Sequence, residues 1–291
     1  MPKRLEQTFG RPCWTNHFQH PVIFLMAHIT TDAIALKSIR WGEADRIVTF
    51  FSYKLGKVRG IAREARKMKN RFGGALEPFT SVNLTLFDRR HDNLATVSAI
   101  HIMEDLSGLR EDLARISAAS RMVSLVDAIT ADRDPSHQLF HTLREGLRSL
   151  LEQEDLSLTT LIFQIHVLSH AGFRPQVDHC ASCGKDFGTR APRFSPSAGG
   201  LVCQGCDQAS WDYCLEMSPG SVAFVQQARR TKFSVALRLK AEGSMRRELE
   251  DIIDTYARAV VGKRLPAIDF LAAEPLPVYG KVNENFVVER A

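Results

Sequence analysis

The spacing of four cysteines in the second half of the chain restricts its fold more than any other feature. Cys180, Cys183, Cys203 and Cys206 form two C-x2-C pairs that are separated by nineteen residues. Each pair can place two thiolates on one tight loop, and four thiolates hold Zn²⁺ at Zn–S distances of about 2.3 Å. Because four protein ligands leave no coordination position open for a substrate, the spacing predicts one structural zinc ion.

Two further cysteines, Cys13 and Cys214, have no obvious partner in the sequence. Cys214 lies only eight residues after Cys206 and could compete for the metal, whereas a small half-buried thiol is the simpler interpretation. A disulfide framework is not expected in a chain of this length without a signal peptide. We therefore expect a reducing, cytoplasmic location.

The first hundred residues have a hydrophobic period of two, which is typical of strands. Five short segments alternate apolar and polar residues, and turn residues separate them. Five strands within about 75 residues, with a longer basic insertion before the fourth, favour a small OB-type barrel. A flat sandwich fragment is the main alternative. The predicted strands are residues 34–39, 46–51, 57–61, 82–87 and 94–97.

The period changes to 3.6 residues after Glu104, which indicates helices. Three leucine-rich faces predict helices over residues 106–123, 139–150 and 158–168. The third helix should end at Ala171-Gly172, because Gly172 is followed by Pro175. Beyond the cysteines, Ser218-Pro219 resembles a helix start, and further helices are expected near residues 219–230 and 244–264.

These patterns together predict an α+β multidomain protein. An extension at residues 1–26, either disordered or the product of an overlong start assignment, precedes an OB-fold domain at residues 27–103. The helical domain occupies residues 104–175 and 216–271, with a four-cysteine zinc module inserted at residues 176–215. Residues 272–291 form an irregular tail.

Positive charge is concentrated in one segment, residues 54–71, which we call the basic segment. It contains eight cations and one acid, Glu64, whereas the whole chain carries a net charge of only +5. Cations on adjacent strands and on a glycine-flanked loop can follow phosphates, so the segment predicts DNA binding. The eight residues are Lys54, Lys57, Arg59, Arg63, Arg66, Lys67, Lys69 and Arg71.

Two smaller groups of residues extend this prediction. Trp41, Tyr53 and Phe72 lie where turns could expose them, and exposed aromatic rings can stack on bases. A second basic patch is predicted near the last helices and could accept an acidic peptide. Its residues are Arg229, Arg230, Lys232, Arg238, Lys240, Arg246 and Arg247.

Catalytic patterns are weak throughout the chain. His166 and His170 stand one helical turn apart, but the zincin motif requires a glutamate directly after the first histidine, and this chain has Val167. A zinc hydrolase that uses both histidines is therefore a minor alternative. The sequence contains neither a phosphate-binding P-loop motif nor a nucleophile elbow, so we expect a protein that is not an enzyme.

Several motifs occur in an order that resembles the bacterial RecO family of recombination mediators. Glu43, Asp45, Ile47 and Val48 precede Gly56-Lys57, and the segment from Ala65 to Lys69 corresponds to an A-R-R-x-K motif with Lys67 in place of the second arginine. Gly74, Leu76, Pro78 and Phe79 match G-x-L-x-P-F, LSHAGFRP leads into the cysteines, and GKRLPAIDFL resembles the closing motif. Glu64 replaces a glycine that is usual in the family, and Asn70 replaces a frequent serine.

This resemblance implies an N-terminal OB-fold, a helical domain and a zinc-ribbon-like module. It also implies binding of single- and double-stranded DNA, annealing of complementary strands, and loading of recombinase onto DNA coated with single-strand-binding protein. The implied partners are RecR and the C-terminal tail of the single-strand-binding protein. A zinc-ribbon module that binds RNA or acts in transcription remains the alternative, because a basic barrel alone would suit either nucleic acid.

Overall fold

A computed structural model describes residues 27–68, 70–88, 94–187, 192–209 and 213–262 of the chain. The expected extension at residues 1–26, which includes Cys13, lies outside the described residues. The expected tail at residues 272–291 and the predicted DNA-binding residue Lys69 lie outside them as well.

The first five strands close into a barrel. They are β1 (Ala27–Trp41), β2 (Asp45–Ser52), β3 (Gly56–Ala62), β4 (Ser81–Asp88) and β5 (Ala95–Glu104). The strands pair in the order β1-β2-β3-β5-β4, and a short parallel pairing of β3 with β5 closes the circle. The predicted five-stranded barrel is therefore confirmed, and the flat sandwich is excluded.

Large apolar side chains fill the barrel, and one glycine makes room for them. Phe50, Leu84, Leu86 and Val97 are completely buried in its interior. A Cβ atom at Gly60 would come within 2.9 Å of the Val97 side chain, so only glycine fits there. Strand β5 ends at 104 instead of the predicted 97, because its pairing with β4 continues along the chain and buries Ile100.

Three helices follow the barrel: α1 (Leu113–Ile129), α2 (His137–Glu152) and α3 (Leu156–His170). The prediction that the first helix begins at Leu106 is wrong, because the chain first forms a 3₁₀ turn at Ser107–Arg110. Helix α1 begins only after Asp112, whose carboxylate accepts a 3.0 Å hydrogen bond from the N–H of Ala114. This cap satisfies a backbone donor that the helix itself leaves unpaired.

The cysteine module, residues 176–215, contains very short elements that hydrophobic periodicity could not reveal. Strands β6 (Arg193–Ser195), β7 (Gly200–Val202) and β8 (Leu215–Glu216) form one sheet in the order β7-β6-β8, and the short helix α4 (Gln204–Ala209) follows β7. Three further helices complete the described chain: α5 (Pro219–Arg230), α6 (Phe233–Ala236) and α7 (Gly243–Val261).

One apolar cluster, distinct from the barrel interior, joins these parts. Ile34 and Phe51 face outward from the barrel and belong to the same buried cluster as Phe163 of α3 and Phe194 of the cysteine module. The ring centroids of Phe51 and Phe140 in α2 are 6.4 Å apart, so the barrel packs directly against the helices. Within the described residues, none of the helices combines the length and apolar character that a membrane span requires.

Candidate nucleic-acid interface and metal site

The four predicted metal ligands lie together. The Sγ atoms of Cys180, Cys183, Cys203 and Cys206 are all within 4.8 Å of one another, and those of Cys183 and Cys203 are 3.8 Å apart. A tetrahedron with metal–sulfur distances of about 2.3 Å has edges of about 3.8 Å. The four sulfurs therefore fit the ligand set of one tetrahedral metal ion.

Local backbone hydrogen bonds shape the loops that carry these sulfurs. The N–H of Gly184 donates to the Cys180 carbonyl at 2.9 Å, and Gly184 has a φ of 72°, which a residue with a Cβ rarely adopts. On the second loop, the N–H of Cys206 donates to the Cys203 carbonyl at 3.0 Å. Strand β7 leads into this loop, so the small sheet sets the distance between the two cysteine pairs.

The protein environment favours a thiolate at Cys180. Burial raises the pKa of its thiol, but backbone N–H groups, chiefly that of Cys203, outweigh burial and lower the pKa to about 6. The Cys203 N–H lies 3.3 Å from the Cys180 Sγ. Hydrogen bonds with Cys183 and Cys203 instead raise the pKa of Cys206 to about 12, because closely packed sulfurs retain a proton between them. A divalent cation would take the place of that proton.

Cys214 does not join this group. It is buried beside Cys180 and Val202, and its thiol is a hydrogen-bond partner of the Asp207 carboxylate. The Cys214 carbonyl also accepts a 2.6 Å hydrogen bond from Arg193. Cys214 is therefore a buried structural thiol in the cysteine module, and the suggested competition for the metal finds no support.

The part of the basic segment that follows β3 forms a loop, and this loop is fastened to the β1–β2 turn. We call residues 63–73 the basic loop. The guanidinium of Arg66 donates to the carbonyl oxygen of Glu43 at 3.0 Å, and the Arg66 N–H donates to the Ala44 carbonyl at 2.9 Å. The Asp45 carboxylate accepts a 2.8 Å hydrogen bond from the N–H of Glu64. Asp45 thus holds the loop in place, as part of a motif that carries the family resemblance.

Most of the predicted DNA-binding cations are exposed. Lys54 lies on the surface, and its Nζ donates to the Thr30 carbonyl at 2.8 Å. Lys67 pairs with Glu64 at 2.6 Å, and the guanidinium of Arg71 lies 4.9 Å from the centre of the Phe72 ring. Among the described residues of the basic loop, four cations have exposed side chains: Arg63, Arg66, Lys67 and Arg71.

Lys57 corrects the prediction that the whole basic segment faces a polyanion. Only 14% of its side chain is exposed, because its Nζ pairs with Asp127 at 3.5 Å and with Asp132 at 3.6 Å. The same Nζ donates to the Asp127 carbonyl at 2.6 Å. Arg59 is half exposed and shares Asp132 at 3.4 Å. Lys57 therefore fastens the barrel to the end of α1.

Gly56 makes this junction possible. Its φ is 67°, and a Cβ atom there would lie 2.2 Å from the carbonyl oxygen of Asp134. The N–H of Arg133 also donates to the Lys57 carbonyl at 2.9 Å. Only glycine permits so close an approach between the β2–β3 turn and the loop that joins α1 to α2.

The three candidate stacking residues occupy different environments. Trp41 is 54% exposed beside the β1–β2 turn and remains available to a base. Phe72 is only 5% exposed in the barrel core, so the prediction that it is accessible is wrong. Tyr53 stacks on His137 with ring centroids 4.1 Å apart and meets Phe140 edge-on, so one face of its ring is already covered.

Strand pairing reveals a surface that sequence reasoning missed. On the outside of the barrel, Lys37 pairs with Thr49, and Thr49 pairs with Arg59, which places the three residues in one row. The next row consists of three isoleucines, Ile39, Ile47 and Ile61. A β-bulge between Ala35 and Lys37 shifts the alternation of β1, so the period-two pattern could not place Lys37 correctly.

The predicted second basic patch is smaller than expected. Arg229 is almost fully buried, where it pairs with Asp178 and donates to the Pro175 carbonyl at 3.0 Å. Arg230 shares Asp178 at 3.2 Å, and the largely buried Arg246 pairs with Asp155 at 2.7 Å. Arg229 and Arg246 therefore stabilise the helical region and are not part of an open patch, whereas Arg230 keeps 59% of its side chain exposed. The exposed cations of the patch are Arg230, Lys232, Arg238, Lys240 and Arg247.

The histidine pair has the features of a packed helix edge. The rings of His166 and His170 meet edge-on with centroids 5.9 Å apart, and His166 also packs edge-on against Phe233. Burial and, to a smaller extent, the neighbouring His170 together lower the pKa of His166 to about 4. Among the described residues, the four cysteines form the only group of three or more metal-ligating side chains, so these histidines lack the further ligand that a hydrolase needs.

The fold and the two sites define a class of protein: an OB-type barrel with a basic loop, joined to a helical region that carries four clustered cysteines able to hold a metal ion. The family model described as recombination protein O N terminal matches residues 26–105, and the one described as recombination protein O C terminal matches residues 110–267. The chain therefore belongs to the recombination protein O family.

Curated relatives agree with this assignment. A protein named DNA repair protein RecO from Myxococcus xanthus is 33% identical over 250 residues, which cover 85% of this chain and 98% of the relative. Proteins of the same name from Geobacter metallireducens and Rubrobacter xylanophilus are each 32% identical, over 84% and 85% of this chain and 98% and 96% of the relatives. The similarity thus extends over the barrel, the helices and the cysteine module.

Proposed function

We propose that this protein is a DNA-binding recombination mediator in DNA repair. In this role it binds single- and double-stranded DNA, anneals complementary strands, and helps to load recombinase onto DNA coated with single-strand-binding protein. Membership of the recombination protein O family supports the general role. The observation that carries the specific proposal is the basic loop, which is fastened to the β1–β2 turn beside the exposed ring of Trp41.

Annealing in this proposal requires no catalytic residue. Two complementary strands repel each other through their phosphates, and cations that neutralise both backbones reduce this repulsion while releasing condensed counterions. Arg63 and Arg71 lie exposed on the basic loop, and Arg59 and Lys37 extend the positive surface along the barrel. An aromatic ring such as Trp41 can stack on an unpaired base without choosing its sequence. Base pairing then supplies the specificity.

The metal in this proposal is one structural Zn²⁺ that is held by the four cysteines. Zn²⁺ bound by four thiolates adds folding energy and does not activate water. The chain enters the cysteine module six residues after α3, and backbone hydrogen bonds hold this first residue against β7: the N–H of Leu201 donates to the Gln176 carbonyl at 2.7 Å, and the N–H of Gln176 donates to the Gly199 carbonyl at 2.9 Å. Metal binding would therefore order both the module and its connection to the helices.

The proposed protein partners are RecR and the acidic C-terminal tail of the single-strand-binding protein, in the cytoplasm. The exposed cations Lys232, Arg238 and Lys240 lie within five residues of Val235 in sequence, and the Val235 side chain is also exposed. A positively charged surface around an apolar side chain suits a peptide that is both acidic and hydrophobic. We propose that the tail binds at this surface.

A strand-annealing assay tests the proposal. Complementary DNA oligonucleotides should anneal faster with the protein than without it, both bare and coated with single-strand-binding protein. The double variant Arg63→Glu with Arg71→Glu should lose most of this activity, whereas Lys232→Glu with Lys240→Glu, which makes the same change in charge, should keep annealing of bare DNA. Tight RNA binding without DNA annealing would support the RNA-binding alternative and refute the proposal.

A further inference from the structure

A fully exposed methionine, Met68, lies in the middle of the basic loop. Met68 has no part of its side chain covered, whereas Met122 and Met217 are buried in the main core. Methionine is usually found inside proteins, because its thioether chain gains free energy by leaving water. In sequence, Met68 lies directly between Lys67 and Lys69.

The loop that presents Met68 is anchored on both sides. On the N-terminal side, Ala65 is buried in the barrel cluster and the N–H of Lys67 donates to the Glu64 carbonyl at 3.1 Å. On the C-terminal side, Phe72 is buried in the same cluster. The Asn70 side chain bridges the two, since its Oδ1 accepts hydrogen bonds from the N–H groups of Phe72 and Gly73, and its Nδ2 donates to the Lys67 carbonyl at 3.3 Å. The described residues on both sides of Met68 are therefore held in place by these bonds before any ligand arrives.

Met68 shares its end of the barrel with a second exposed apolar side chain. Arg66 bonds to the turn that directly follows Trp41, so the basic loop and the β1–β2 turn form one surface. The exposed cations Arg63 and Arg66 belong to the same surface. Two exposed apolar side chains surrounded by cations suit DNA as a ligand, because the apolar faces of the bases lie between the charged phosphate chains.

We propose that Met68 is a wedge that inserts between neighbouring bases of bound DNA where single and double strands meet. This inference rests on the proposed DNA binding and adds to it a specific residue and a preferred DNA structure. Apolar side chains, methionine among them, open base steps in other DNA-binding proteins, and the cost of unstacking is offset by burial of the side chain and by new phosphate contacts. Steps that are already weakened at a junction are the least costly to open.

The wedge explains why a methionine is useful on a loop that otherwise binds phosphates. Contacts from lysine and arginine position DNA without distinguishing a continuous duplex from a junction. A side chain that needs an open base step adds this distinction. The protein should therefore bind forked DNA more tightly than a blunt duplex of the same length and charge.

Fluorescence of 2-aminopurine tests the proposal, because this base becomes brighter when it is unstacked. With the base placed at the junction of a fork, the native protein should raise the fluorescence by about twofold or more. Met68→Gln keeps the length of the side chain but makes it polar, and should abolish the rise and the preference for forks. Its overall affinity should fall by no more than about threefold, with an unchanged salt dependence, because the phosphate contacts remain.

Two control variants separate the wedge from general effects. Met68→Leu retains an apolar side chain and should retain the fluorescence rise, whereas Met103→Gln changes an exposed methionine of β5 and should have no effect. A full fluorescence rise with Met68→Gln would overturn the wedge while leaving DNA binding intact. Failure of the native protein to bind any DNA would instead overturn the proposed function, and the wedge with it.

Discussion

Replacing Lys57 with methionine removes one positive charge from the basic segment and keeps most of the apolar length of the side chain. The native Nζ donates to the Asp127 carbonyl at 2.6 Å and pairs with two carboxylates that are themselves partly exposed. A charged hydrogen bond contributes about 1.5–3 kcal/mol, and each partly exposed ion pair adds about 0.2–1 kcal/mol. Since the variant also avoids the cost of burying an ammonium group, we expect the free energy of unfolding to fall by about 2 kcal/mol.

This loss is measurable by thermal and chemical denaturation. For a protein of this size, about 2 kcal/mol corresponds to a decrease in melting temperature of about 4–8 °C. Lys54→Met is the matched control, because Lys54 is exposed three residues earlier and its Nζ donates to a carbonyl on the surface. The control should lower the free energy of unfolding by less than about 0.5 kcal/mol.

The salt dependence of DNA binding provides the second readout. Each phosphate contact with duplex DNA contributes about 0.9 to the slope of log K against log salt concentration. Lys57→Met should leave this slope unchanged, because the native ammonium group is committed to Asp127 and Asp132. A reduced slope in a variant of native stability would show that Lys57 contacts DNA and would refute the role assigned to it as a fastener between barrel and helices.

Three further expectations address the metal, a buried histidine and the exposed tryptophan. Cys203→Ser should reduce the bound zinc, which is expected at one per chain, and lower the melting temperature; an unchanged melting temperature after complete metal loss would contradict a structural role. His166 has a folded-state pKa of about 4, below the ordinary 6.5, so the unfolded chain binds more protons than the folded protein between these two pH values. The free energy of unfolding should therefore fall by about 3 kcal/mol as pH decreases from about 6.5 to 4. His166→Gln should flatten this part of the stability curve, and an equally steep curve would rule out His166 as its source. Trp41→Ala should weaken single-stranded DNA binding by about tenfold with an unchanged salt slope, as expected for the loss of one stacking contact; full affinity would place the bases elsewhere.

Local patterns were sufficient for the parts of this fold that depend on neighbouring residues. Two C-x2-C pairs carry their own turn geometry, so the four cysteines of the candidate metal site could be named from spacing alone, and the structure brings their sulfurs within 4.8 Å of one another. Alternation and the 3.6-residue period likewise predicted the five strands and most of the helices. The start of α1 was predicted too early because a 3₁₀ turn before the helix buries Leu109 just as a helix would. The end of β5 was predicted too early because its pairing with β4 continues beyond residue 97.

The roles of individual cations were less accessible, because an ion pair depends on residues that are distant in sequence. Lys57 and Asp127 are seventy residues apart, and Arg229 and Asp178 are fifty-one apart. Read as part of a charged segment, Lys57 resembles any phosphate-binding lysine. Its partner becomes known only when the barrel is packed against the helices.

By itself, the sequence determined which residues could bind metal, where most of the longer strands and helices form, and that positive charge gathers in residues 54–71 of the barrel domain. Only the tertiary structure decided which of those charges remain available, that Phe72 is buried while Trp41 and Met68 are exposed, and that Lys37 lies in one row with Arg59. The reason is physical: backbone periodicity and turn geometry act over a few residues, whereas exposure and charge pairing depend on distances in space that chain packing creates.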